Sequence, residues 1–162
     1  MKKIFLAICL TLALLLPSNL NAQTPFTVNV HGGYSWLNGV VGGEAQFGNF
    51  GISSGWMPTS MPMSGEKVNS IGFGVTYYSL KAGEPGYSGY ISLGSATDGY
   101  RYEDSWGGES TAPMTIVMLG SKYDSGGGFY TKAGIGYGWC SDPQVGAFAF
   151  EVLLGFTLFG SK

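Results

Sequence analysis

The side chains most able to do chemistry in this sequence are few. Glu44, Lys132 and Glu151 stand with His31, Gln46, Tyr90 and Tyr130 in a chain of 162 residues of which only 11% are charged. Two carboxylates flanking an ammonium could form a proton or ion path. They could equally be a closed hydrogen-bonded network, because buried charges are tolerated when paired. His31 is the only histidine. A hydrolase built on it would need a nucleophile and an oriented base, and no Ser or Asp accompanies His31 in a recognisable motif. The stretch MPTSMPMSGEK offers Met57, Met61 and Met63, soft thioethers that could bind Cu(I) or simply cover apolar surface. The stretch TDGYRYEDSWGGEST mixes Tyr100, Arg101, Tyr102 and Trp106 with Asp98, Glu103, Asp104 and Glu109. That mixture suits recognition of a partner, and the carboxylates lack the spacing of a calcium loop. No cofactor motif and no metal-ligand spacing stands out.

Whether these groups meet depends on the elements that carry them. The sequence reads as eight strands: 26–37, 40–47, 50–56, 68–79, 87–96, 114–123, 129–139 and 145–159. The fourth sets Ile71, Phe73, Val75 and Tyr77 against Gly72, Gly74 and Thr76. The seventh sets Phe129, Ala133, Ile135, Tyr137 and Trp139 against Lys132 and three glycines. The eighth sets Phe148, Phe150, Val152, Leu154, Phe156 and Leu158 against Ala147, Ala149 and Glu151. Such period-two alternation marks a strand with two unlike faces. The sixth is apolar on both faces and leaves both orientations open. Pro25, Pro58, Pro62, Pro85, Pro113 and Pro143 fall at strand starts or in connections, where a missing donor costs no ladder bond.

Two tight-turn signals test this pattern. Asn38-Gly39 reads as a type I′ hairpin turn. It pairs Leu37 with Val40, Trp36 with Val41, Tyr34 with Gly43, Gly32 with Ala45 and Val30 with Phe47. Gly48-Asn49 reads as a type II′ turn, pairing Phe47 with Phe50, Ala45 with Ile52 and Val41 with Trp56. Both turns place one aromatic and aliphatic face against one small and polar face, which a one-residue slip would destroy.

Composition chooses what the apolar face touches. The chain opens MKKIFLAICLTLALLLPSNLNAQ. Its basic start, short apolar run and small-residue end predict a cleaved signal peptide over 1–22, since the run falls short of the roughly 20 residues a spanning helix needs. Without Lys2 and Lys3, six basic residues face ten acidic ones, a charge of −4, which excludes electrostatic nucleic-acid binding. Cys140 is then the single cysteine, so no internal disulfide can form. It reads as an inert thiol near a strand end. No long apolar run follows, and a chain with so few charges could hardly cover a surface with polar groups. A closed barrel crosses lipid without such a run because every backbone group pairs with a neighbouring strand.

The leader MKK…NA, the strands SIGFGVTYYS and FYTKAGIGYGW, and the final FAFEVLLGFTLF make residues 23–162 resemble the small eight-stranded outer-membrane β-barrel superfamily. The resemblance implies an all-β, antiparallel, up-and-down transmembrane barrel in a Gram-negative outer membrane, inserted by the outer-membrane assembly machinery. Phe159 is followed by Gly160, Ser161 and Lys162, a departure from the terminal aromatic such proteins carry. Trp36, Trp56, Tyr77, Tyr87 and Trp139 are expected at the lipid interfaces. Connections 57–67 and 97–112 are expected outside the cell, where they would meet an extracellular ligand or host surface. The expected role is structural or surface recognition, without catalysis. A lipid-modifying enzyme using His31 is the alternative. A soluble exported barrel, with its rings turned inward around a small apolar ligand, is the third.

Overall fold

The structure, a computed structural model, describes residues 24–57, 69–103, 109–141 and 145–161. Residues 1–23, most of the 57–67 connection (with Met61 and Met63) and Trp106 lie outside these residues. Eight strands follow one another: β1 (Phe26–Ser35), β2 (Val41–Phe47), β3 (Phe50–Met57), β4 (Ser70–Tyr78), β5 (Gly86–Glu103), β6 (Glu109–Asp124), β7 (Phe129–Cys140) and β8 (Val145–Ser161). Each pairs antiparallel with the next, and β8 closes on β1 to complete a barrel. With an even strand number both ends of the barrel chain lie at one rim, here called the near end. The opposite rim is the far end.

Alternation sets the two faces. In β4, Ser70, Gly72, Gly74, Thr76 and Tyr78 point into the lumen while Ile71, Phe73, Val75 and Tyr77 point out. The other strands agree. Ile135 is 74% and Phe148 82% exposed, so the large apolar side chains form a belt around the outside. The inward-ring geometry of a soluble ligand-binding barrel does not form.

The hairpin at Gly48-Asn49 folds as its turn chemistry dictates. Gly48 takes φ +55 while no non-glycine residue has positive φ, the pattern of a type II′ turn. The ladder runs Phe47↔Phe50, Ala45↔Ile52 and Val41↔Trp56, as the sequence predicts.

The first hairpin departs from expectation. The ladder runs Phe26↔Phe47, Val28↔Ala45, Val30↔Gly43 and Gly32↔Val41, four residues away from the type I′ register. Only Gly39, at φ 71, lies in the left-handed region; a type I′ turn would need Asn38 there as well. Gly39 N instead donates to Ser35 O at 2.9 Å. Residues 36–39 leave the ladder and enter the lumen, where Trp36, Leu37 and Asn38 are buried, and Val40 rejoins the wall, accepting from Gly33 N at 2.9 Å and donating to Trp56 O at 2.8 Å. Trp36 is therefore not an interfacial aromatic.

The reason lies in the facing wall. A Cβ on Gly74 would sit 2.8 Å from Leu37 Cδ2, one on Gly94 2.2 Å from Leu37 Cδ1, one on Gly72 1.8 Å from Leu37 O, and one on Gly55 1.5 Å from Asn38 O. The inner face of β3 to β5 thus lacks side chains where the segment fits. Burying Leu37 there contributes about 1.5–3 kcal/mol, set against about 0.2–1 kcal/mol for each cross-strand pair given up.

Within the 97–112 connection, residues 97–103 and 109–112 are strand and not loop. β5 and β6 continue past the barrel wall, pairing Tyr100↔Ala112, Arg101↔Thr111, Tyr102↔Ser110 and Glu103↔Glu109 after an irregularity beyond Ala96. Pairing of β4 with β5 ends at Gly72↔Ala96, and that of β6 with β7 begins at Thr115↔Trp139. The ribbon therefore projects beyond the far rim. Pro113 sits inside β6, opposite the irregularity, where no partner needs its missing donor.

The lumen is filled in two halves. Toward the far end, Trp36, Leu37, Ala96, Met114, Ile116, Met118, Cys140 and Ala149 form an apolar cluster. This orients β6, whose inward face carries its methionines and Ile116 while Leu119 and Tyr123 point out. Toward the near end the filling is polar.

Candidate functional site

The near half of the lumen gathers four charges. Glu44 on β2, Lys122 on β6, Lys132 on β7 and Glu151 on β8 all point inward and are almost fully buried. Lys132 Nζ lies 3.4 Å from Glu151 Oε1 and 3.8 Å from Glu44 Oε2, and Lys122 Nζ lies 3.8 Å from Glu44 Oε1. The formal charges cancel. Two ammoniums and two carboxylates in one water-poor space are stable only in such mutual pairing.

Hydrogen bonds complete the carboxylates. Tyr78 OH donates to Glu44 Oε2 at 2.5 Å. Glu151 accepts from Ser35 Oγ at 2.7 Å, from Asn38 Nδ2 at 2.9 Å and from Tyr90 OH. Lys122 Nζ donates to Gln46 Oε1 at 3.0 Å. Each ammonium also sits near two rings: Lys132 Nζ is 4.4 Å from the Tyr90 centroid and 5.6 Å from that of Tyr78. Lys122 Nζ is 4.8 Å from the Tyr130 centroid and 5.0 Å from that of Tyr78. Such cation–π contacts gain strength away from water.

Glycines on the neighbouring strands make room for these rings. A Cβ on Gly120 or Gly134 would fall within 2.5 Å of Tyr90 OH, and one on Gly155 within 2.3 Å of Tyr130 Cζ. Large and small inward positions thus alternate around the barrel, which is how a wall of about eight strands packs its interior.

All seven residues read from sequence as the interior set are buried here. Glu44, Lys132, Glu151 and Tyr90 touch one another directly. Gln46 joins through Lys122, and Tyr130 links that lysine to His31, whose Nδ1 lies 3.2 Å from Tyr130 OH. Sequence reasoning missed Lys122, Tyr78, Ser35 and Asn38. Lys122 was hidden by the unresolved orientation of its strand. Tyr78 follows from the parity of Gly74 and Thr76. Ser35 and Asn38 needed the true course of the first hairpin.

Outside the barrel, Trp56 and Trp139 are exposed toward the far end and Tyr77 and Tyr87 toward the near end. Tyr77 packs edge-on to Phe50 with centroids 5.3 Å apart, and Tyr87 against Tyr123 at 4.8 Å. Tyr100, Arg101 and Tyr102 lie on the projecting part of β5. Met57 is buried at the end of β3. Among the described residues no three His, Cys, Asp or Glu side chains converge as a metal site. His31 is enclosed in the lumen, with Tyr130 as its ring partner and, among the described residues, no serine or carboxylate bonded to it.

No protein-family model and no curated protein matches the chain. Among solved structures, the chain is similar to the N-terminal β-barrel domain of Pseudomonas aeruginosa OprF. The TM-score is 0.55 at 16% identity, over 84% of this chain and 100% of that one. The likeness is one of fold, a closed eight-stranded antiparallel barrel.

Proposed function

We propose that this chain is a non-enzymatic outer-membrane barrel of a Gram-negative bacterium, exported by a signal peptide cleaved after residue 22 and inserted by the outer-membrane assembly machinery. The observation that carries this reading is the outward belt. Side chains such as Ile52, Phe73, Leu93, Ile135, Phe148 and Leu154 are half or more exposed or close to it, a surface that water would penalise and hydrocarbon would not. Trp56, Trp139, Tyr77 and Tyr87 toward the two rims suit the headgroup zones. The outer-membrane protein OprF, whose N-terminal domain has this fold, supports the same placement.

The filled lumen supports a structural or surface-recognition role over transport. Recognition falls to the 57–67 connection, to the β5–β6 ribbon with Tyr100, Arg101 and Tyr102, and to the stretch between its strands that carries Trp106 in sequence, facing an extracellular ligand or host surface. The enclosure of His31 supports the absence of lipid-modifying catalysis, because lipid would reach the outer wall and not the lumen.

Membrane fractionation followed by electrophoresis with and without heating tests the reading. The protein is expected in the outer-membrane fraction, with a mobility that changes on heating, and planar bilayers are expected to show no steady large currents. A processed chain that stays monodisperse in plain buffer would overturn it.

A further inference from the structure

We propose that residues 36–39 form a removable stopper, and that its withdrawal opens a vestibule in the far half of the barrel. The proposal needs only the fold and holds whether or not the barrel resides in the outer membrane.

Three observations carry it. First, the segment is not part of the wall. Residues 36–39 stand outside the β1–β2 ladder, which runs from Phe26↔Phe47 to Gly32↔Val41 and ends on Val40, whose O accepts from Gly33 N at 2.9 Å. Second, the space they occupy is filled by nothing else. Gly55, Gly72, Gly74 and Gly94 face Leu37 and Asn38, so moving the segment outward leaves a hollow walled by backbone, beside Met114, Ile116 and Met118. An ordinary barrel of this size is filled from its own strands, and no withdrawal of a connection could empty it. Third, the buried position is a compromise. Leu37 is fully buried, and Asn38 Nδ2 is tethered to Glu151 at 2.9 Å, but Trp36 Nε1 and Asn38 Oδ1 are buried without a hydrogen-bond partner among the described residues. Apolar burial holds the segment in, and two unsatisfied polar atoms favour letting it out. These opposing contributions are of similar size, which is the condition for two populated positions.

The tether meets the lumen network at one atom. Glu151 Oε2 takes both Asn38 Nδ2 and Ser35 Oγ, while Oε1 faces Tyr90 and Lys132. Withdrawal would release the Asn38 side-chain bond from Glu151, together with the bonds that Leu37 N, Asn38 N and Gly39 N donate to Ser35. The charges below keep their partners, so the vestibule ends on Glu151 and does not become a through-channel.

Cys140 reports the event. It is buried in the same apolar cluster as Trp36 and Leu37. The experiment measures its modification by a small water-soluble methanethiosulfonate, in the full chain folded in detergent micelles, by mass spectrometry. Cys140→Ser supplies the blank, and heat-dependent mobility verifies the barrel. Asn38→Gly removes the tether but leaves the apolar packing, and Leu37→Gly removes the main apolar anchor. Each is expected to raise the rate about tenfold or more, the shift that follows from losing one such interaction. A parent rate retained by folded Asn38→Gly, with or without acceleration in Leu37→Gly, would mean a passive filler and overturn the proposal. If Leu37→Gly does not fold, Asn38→Gly alone decides.

Discussion

Lys132 Nζ lies 3.4 Å from Glu151 Oε1 across the β7–β8 wall, with both side chains almost wholly withdrawn from solvent. Neither side chain could occupy that place alone. Removing the cation leaves two carboxylates facing each other's charge in a low-dielectric space, a loss of about 3–5 kcal/mol. Lys132→Met should therefore lower the urea midpoint of the micelle-bound protein strongly. Lys132→Met with Glu151→Gln should recover part of the loss, giving a non-zero coupling energy in the double-mutant cycle. Additive losses would mean that the two groups do not interact.

The course of the first hairpin has its own test. The three atoms nearest to a Cβ on Gly74 would all belong to the Leu37 side chain, the closest at 2.8 Å. Gly74→Ala should cost about 1–3 kcal/mol by overpacking, and almost nothing further once Leu37→Ala has cleared the space. With a type I′ hairpin at Asn38-Gly39, Leu37 would be remote from Gly74, and the two substitutions would be independent.

Trp36 and Trp56 should separate in lipid. Trp36 is 4% exposed inside the lumen and Trp56 49% exposed outside it. In single-tryptophan variants reconstituted with brominated lipid, Trp56 fluorescence should be strongly quenched and that of Trp36 hardly at all. Equal quenching would return Trp36 to the outer wall.

Ile135 distinguishes hydrocarbon from water around the belt. It is 74% exposed in the middle of β7. An outward lysine near the bilayer midplane costs about 2–4 kcal/mol, whereas a surface exchange in a water-soluble protein usually stays within about 0.5 kcal/mol. Ile135→Lys should thus reduce assembly and thermal stability in membranes. A neutral outcome in both measurements would contradict the outer-membrane placement.

The parts of this architecture legible in sequence were those set by local rules. Gly48-Asn49 was readable because its turn type, its flanking rings and its face pattern agree. Strands β4, β5, β7 and β8 were readable from alternation, and with them the inward placement of Lys132 and Glu151, while that of Glu44 on β2 followed from the Gly48-Asn49 hairpin. The first hairpin was not, although Asn-Gly is a strong turn signal. A four-residue shift keeps every side chain on its own face, so parity cannot detect it. What decided it was Leu37 and Asn38 finding four glycines on β3 to β5, a relationship between distant stretches. β6 looked ambiguous because its inward face is apolar in the far half. Its partner could have resolved it: Gly136 and Gly138 leave space that Met118, Met114 and Ile116 occupy. The β5–β6 ribbon was hidden by loop-like composition, yet its strands pair regularly from Tyr100↔Ala112 to Glu103↔Glu109.

The closure of β8 onto β1 has a kinetic consequence. Val28 meets Phe159 and Ser35 meets Glu151, so residues from the two extremes of the barrel must find each other before β1 or β8 has both neighbours. Until that last seam zips, every N-terminal fragment emerging during synthesis exposes an unmatched edge, and the loop-closure entropy is met in full before the reward arrives. Assembly should be slow, all-or-none and intolerant of truncation at either extremity, and the nascent polypeptide needs a chaperone to shield it meanwhile.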